Sequence, residues 1–246
     1  MPISTLTVFA AALVTALATG LGALPFLFRP DMSRRSLGLS NAMAAGLMIA
    51  ASLMLLYEGR LFDLPATAAG AALGALFILV TRKLLDSRDH LRVGELRGAD
   101  ATKVLLIVGV MTIHSFTEGV GVGVGYGGGE ALGVFITTAI AVHNIPEGLA
   151  ISLVLIPRGA TVRQAAWWSI FSSLPQPLMA VPAYLFVEAF APMLPVGLGF
   201  AGGAMIWMAG QELIPEALED APPGIVASAT VLAMVAMLIF QWAIRG

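Results

Sequence analysis

The chain has 246 residues, of which 58% are hydrophobic and only 11% charged, with a formal net charge of −2 and a mean hydropathy of +0.90. Soluble domains carry about 25% charged residues, so the composition excludes an ordinary soluble fold and points to an integral membrane protein. The absence of cysteine excludes disulfides and thiolate metal sites, and no basic stripe suggests a nucleic-acid partner.

A membrane-spanning helix needs about 20 apolar residues. Eight stretches qualify, at about 3–28, 36–57, 64–84, 102–126, 131–156, 163–190, 194–217 and 222–244. The first is apolar from its start and has no basic leader region, so it reads as a membrane helix rather than a cleaved signal. The second carries Met48 and Ser52 one turn apart, candidates for lining an ion pathway. After the third comes the longest polar break, about 86–101, with Arg88, His90, Arg92, Glu95, Arg97 and Asp100. It reads as a cytoplasmic loop in which His90 is solvated. The other links are short, so residues 1–246 read as one transmembrane domain. Orientation follows from the basic residues, which favour cytoplasmic loops. With the N-terminus outside, the outer side keeps only Arg60 and Arg245 of the 13 Lys and Arg. The expected fold is therefore all-α, with eight transmembrane helices and both termini outside.

Small residues crowd several stretches: Ala44, Ala45, Gly46, Ala68, Ala69, Gly70, Gly74, Gly199, Gly202 and Gly203. They read as sites of close helix packing. Gly119, Gly121, Gly123 and Gly125 recur at every second residue, which does not read as a helical stripe. With Gly127, Gly128 and Gly129 they predict a weak helix end running into a turn. Prolines interrupt the later stretches at positions 146, 175, 177, 182 and 215. Pro146 frees the carbonyl of Val142 and Pro215 that of Gln211, and broken helices near the midplane mark transporter binding sites.

The chemistry lies in two near-copies of one motif, His114-Ser115-Phe-Thr-Glu118-Gly119 and His143-Asn144-Ile-Pro-Glu147-Gly148. His and Glu four residues apart share one face of a helix. Such groups are expensive in a membrane and are kept there for function. An isolated pair could be a structural partnership. Two registered copies, plus a third intramembrane acid at Glu212, point instead to one or two divalent cations. Imidazole and carboxylate ligands suit zinc, iron, manganese, cobalt, nickel or cadmium, and Glu118 and Glu147 are expected to be shared. Gln176, beside Ser172 and Ser173 in a proline-broken stretch, reads as a pathway or interhelical polar residue.

The paired motifs on the fourth and fifth stretches, with HNIPEG over 143–148 and Gln211-Glu-Leu-Ile-Pro215-Glu, resemble the ZIP (Zrt-, Irt-like) metal transporters. The resemblance implies a carrier moving divalent metal, zinc foremost, toward the cytoplasm. It implies a 3+2+3 arrangement in which helices 1–3 and 6–8 form an inverted repeat, a binuclear site, a homodimer and an elevator-like motion. By position, it implies an inner site of His114, Glu118, His143, Glu147 and Glu212, with Gln211 beside it. A neighbouring transport site would use Ser115, Glu118, Asn144 and Glu147. The chain departs from that pattern at Ser115 and Thr117, where the family often has Asn and Pro, and at Gln176, where a Glu is expected. The competing classes are an intramembrane zinc hydrolase and an acid-lined cation channel. The hydrolase lacks support because no HExxH pattern is present; the channel would differ by fast, unsaturable flux. The lack of transit features favours a bacterial inner membrane.

Overall fold

The computed structural model describes residues 3–28, 33–86 and 99–245. The expected loop at about 86–101, His90 included, falls mostly outside them. In hydrocarbon every backbone N–H and C=O must find an internal partner, and a helix satisfies them within one segment. The described chain accordingly forms helices: α1 Thr5–Leu21, α2 Arg34–Phe62, α3 Leu64–Asp86, α4 Ala99–Gly127, α5 Glu130–Leu155, α6 Val162–Ser173, α7 Pro175–Ala189, α8 Leu194–Met208, α9 Ile214–Asp220 and α10 Pro223–Arg245. Seven helical runs are long and apolar enough to cross a membrane, and α4 adds a further 29-residue helix. The outward faces stay apolar, with Phe28, Trp242 and Leu232 largely exposed. Many polar side chains, the motif residues among them, lie inside. This distribution fits a protein whose solvent is lipid.

Local chemistry sets the helix boundaries. Ser4 caps α1, and Thr161 and Gln164 form a reciprocal capping box on α6. Gly129 turns the chain between α4 and α5 at φ 123°, a conformation that disfavours a side chain. The run expected over 163–190 is two helices, broken at Leu174 before Pro175. A π turn at Ala209–Leu213 precedes Pro215, the residue expected to disturb the backbone there.

The expected helix end and turn are present, since α4 stops at Gly127 and Gly129 turns the chain, but the alternate glycines before them do form a helical stripe. Spacing by two contains spacing by four, and one helical face collects Gly119, Gly123 and Gly127. A Cβ at Gly119 would lie 2.4 Å from the Gln176 carbonyl oxygen, and one at Gly123 2.1 Å from that of Ala180. The run is a small-residue seam against α7.

The helices pack in two groups. In one, α1, α4, α5, α6 and α7 contact each other extensively; in the other, α2, α3, α8, α9 and α10 do. The groups meet where α2 packs on α5 and α4 on α8. The second group has its own glycine seam. A Cβ at Gly74 would lie 2.0 Å from the Phe200 oxygen, and one at Gly203 2.2 Å from the Ala71 oxygen.

Candidate metal centre

All the motif side chains face inward. His114, Ser115, Glu118, His143, Asn144, Glu147 and Gln176 are each no more than 2% exposed. Glycine explains part of this placement. Gly119 lets α7 approach α4 at Gln176. Gly148 does the same for α5, since a Cβ there would lie 1.7 Å from the Thr19 oxygen of α1. The residue after each motif glutamate therefore brings a neighbouring backbone against the polar centre.

Four groups converge. His143 Nε2 lies 2.5 Å from Glu118 Oε1, and His114 Nε2 lies 2.6 Å from Glu147 Oε1 and 3.4 Å from Glu118 Oε1. Ligand atoms of His114, Glu118 and His143 all fall within 4.8 Å of one another. His114 Nε2 and Glu147 Oε1 are close without hydrogen-bond geometry and lack other hydrogen-bond partners. A tetrahedral zinc with bonds of about 2.0–2.1 Å sets its ligand atoms about 3.3 Å apart. Of the three separations above, the longest already has that spacing and the two shorter reach it after openings of under about 1 Å.

A polar cradle holds Glu118 from the other side. Gln176 Nε2 donates to Glu118 Oε2 at 2.5 Å. Gln176 Oε1 accepts from Asn144 Nδ2 at 3.3 Å and from the Thr15 hydroxyl. Asn144 Nδ2 also donates to the Thr15 carbonyl at 2.9 Å, and the Thr19 and Ser173 hydroxyls pair at 2.9 Å. In place of the proline often found at position 117 in the resembling family, the Thr117 hydroxyl donates to the His114 carbonyl at 2.8 Å.

The other predicted residues lie elsewhere. Glu212, on the π turn, pairs with Arg82 at 3.2 Å, and Arg82 also donates to the Gln211 carbonyl at 3.3 Å. Neither Gln211, which is exposed, nor Glu212 belongs to the group of converging ligand atoms. Met48 is buried in the main apolar cluster, and Ser52 donates to its own helix at the Met48 carbonyl, 2.7 Å away. Sequence reasoning missed Thr15 and Thr19. Their signal was two hydroxyls one turn apart in an otherwise apolar helix. It also read Arg82 only as a marker of topology.

Comparisons with known proteins identify the family. The model of the ZIP zinc transporter family matches residues 85–240. Zinc transporter GufA of Myxococcus xanthus is 36% identical over 84% of this chain and 86% of its own length. Zinc transporter ZIPB of Bordetella bronchiseptica is 32% identical over 81% of this chain and 69% of its own length. An Arabidopsis thaliana protein with a zinc-transporter name is 47% identical over 96% of this chain, which spans 38% of that relative's length. A matching family model over most of the chain and a relative matched nearly end to end leave one assignment: the chain belongs to the ZIP zinc transporter family.

Proposed function

We propose that this protein carries divalent transition-metal ions, zinc first, across a membrane toward the cytoplasm, and that His114, Glu118, His143 and Glu147 bind the ion. The observation that carries this reading is the convergence of two imidazoles and two carboxylates, all buried, on adjacent helices of a ZIP-family chain. Imidazole nitrogen and carboxylate oxygen are ligands that zinc, iron, manganese, cobalt and nickel accept. The surrounding apolar shell strengthens each bond to a cation by keeping water out.

The four ligands and their cradle all belong to the group containing α1, α4, α5, α6 and α7, which supports an elevator-like motion of that group against the other. The direction and the outside placement of both termini rest on the asymmetry of the basic residues. Family resemblance extends the proposal to a homodimer, which crosslinking in native membranes tests.

The deciding experiment is ion uptake into proteoliposomes across a panel of divalent ions, with wild type and Glu147→Ala at equal reconstitution. Saturable uptake of zinc that Glu147→Ala abolishes supports the reading. Equal uptake by both proteins overturns the site.

A further inference from the structure

Building on the carrier reading above, we propose that the centre of this chain holds one divalent ion, not two, and that the Gln176 carboxamide takes the place a second ion would occupy. Two independent observations carry this. The first is how Glu118 is used. Its Oε1 faces both histidines, at 2.5 and 3.4 Å. Its Oε2, the oxygen left to bridge a second ion, accepts the amide N–H of Gln176 at 2.5 Å. An N–H hydrogen carries positive partial charge and excludes a cation from the same lone pairs.

Gln176 cannot present its oxygen there instead without losses. Its Oε1 already accepts from Asn144 Nδ2 and the Thr15 hydroxyl. The orientation of Asn144 is fixed in turn, because its Nδ2 also donates to the Thr15 carbonyl. A reversed Gln176 amide would lose its bonds to Asn144 Nδ2 and to Glu118 Oε2, although Asn144 would keep the Thr15 carbonyl and the Thr15 hydroxyl the Ala12 carbonyl at 2.7 Å.

The second observation is charge. Glu118 and Glu147 are the only carboxylates in the converging cluster, and the histidines must be neutral to bind metal. Together they carry the charge that balances one divalent ion. Gln176, Asn144, Ser115 and Thr15 are neutral. Glu212, the third acid legible in the sequence, is paired with Arg82 at 3.2 Å. A second divalent ion would leave positive charge without a counter-ion in the protein interior, which is the costly case for a buried charge. One ion on two nitrogens and two oxygens has the four ligands zinc prefers.

The test counts metal in detergent-purified protein. Wild type and the Glu118→Ala, Glu147→Ala double variant are loaded with zinc and desalted, and the metal is quantified per chain by mass spectrometry. Zinc X-ray absorption is measured in parallel. We expect wild type to hold one ion that the double variant lacks. We expect no zinc–zinc scattering at the roughly 3.5–4 Å typical of two-metal sites. Gln176→Glu should add a second, weaker ion and bring that scattering with it. Two site-dependent ions in wild type would overturn this proposal and leave the carrier reading standing; none would overturn both. If Gln176→Glu folds and still binds one ion, Gln176 is not what excludes the second. If it fails to fold, the wild-type count and spectrum decide alone.

Discussion

Gly148 gives the sharpest test of how the site is built. In Gly148→Ala the new Cβ would lie 1.7 Å from the Thr19 carbonyl oxygen and 2.7 Å from the Thr19 carbonyl carbon. Ordinary carbon–oxygen contact begins near 3.2–3.4 Å, so α1 must retreat from α5 by about 1.5 Å. Both contacted atoms are backbone, and no side-chain rotamer can relieve them. Thr15 lies one turn along α1 from Thr19. The same retreat therefore stretches its carbonyl away from Asn144 Nδ2, now 2.9 Å, and draws the Thr19 hydroxyl from Ser173, also 2.9 Å. Overpacking costs about 1–3 kcal/mol, and each lost hydrogen bond about 1 kcal/mol more. The expected destabilisation is roughly 2–5 kcal/mol, with weakened zinc binding because Asn144 and Thr15 orient Gln176. The control is Gly224→Ala near the start of α10, where nothing lies within 4 Å of the added Cβ; helix propensity makes it neutral to stabilising by up to about 1 kcal/mol. Thermal unfolding and zinc binding of both variants in one detergent are the assay. A Gly148→Ala protein as stable and as tight-binding as Gly224→Ala would refute the close-approach argument.

Other perturbations separate the parts of the molecule. Glu147→Ala should weaken zinc binding by roughly a hundredfold or more, since loss of an outer-shell partner alone costs 10–100-fold; calorimetric titration of purified protein checks it. Gly74→Val should lower the unfolding temperature without touching the metal centre, because its Cβ would lie 2.0 Å from the Phe200 oxygen in the α3–α8 seam; a thermal scan with and without zinc reads both effects. Zinc binding should weaken as pH falls from about 8 to 5, because protons compete for the same imidazole and carboxylate atoms. The effect should shrink in His114→Gln and His143→Gln, and a pH-independent affinity would exclude histidine ligation. In a chain with no natural cysteine, a single cysteine at position 92 should label only from the cytoplasmic side of sealed cells; outside labelling would reverse the orientation.

The helical, membrane-embedded character was legible because lipid makes an apolar run of this length almost synonymous with a helix. The convergence of His114, Glu118, His143 and Glu147 was legible because 3.6-residue periodicity places each His–Glu pair on one face. The glycine run misled because periodicity was read at two residues, while the packing uses every fourth glycine of that run against α7. Glu212 was read as a third acid of the cluster. Its partner Arg82 is 130 residues away in the chain, and no local pattern announces a pairing at that separation. Thr15 was overlooked for a similar reason. A hydroxyl in an apolar helix carries little signal until Asn144 and Gln176 are placed beside it.

The two helix groups differ in how they are joined, and this bears on motion. Within each group, backbones dock directly: Gly148 against the Thr19 oxygen, Gly123 against that of Ala180, Gly74 against that of Phe200, Gly46 against that of Thr230. These seams are registered at single residues, and any slip drives a carbonyl into a neighbouring chain. Side-chain hydrogen bonds from Asn144, Gln176, Thr19 and Thr230 likewise stay within their own group. Across the boundary the glycines meet side chains instead, Gly121 the Ala201 methyl and Gly197 the Val124 isopropyl group. Phe77 stacks on Phe116 there, and one apolar cluster, Met48, Val122, Leu198 and Met205 among its members, draws residues from both groups. Such contacts are non-directional and can be re-formed after a displacement. One polar tie that crosses is Ser40 donating to the carbonyl of Pro146, inside the second motif, at 3.0 Å. A boundary of this kind fits the sliding motion proposed above. The proposed ion centre lies on one side of this boundary, and its two carboxylates would be balanced by a single divalent ion. On that proposal, the loaded group would pass along an apolar surface with no net charge from the cluster.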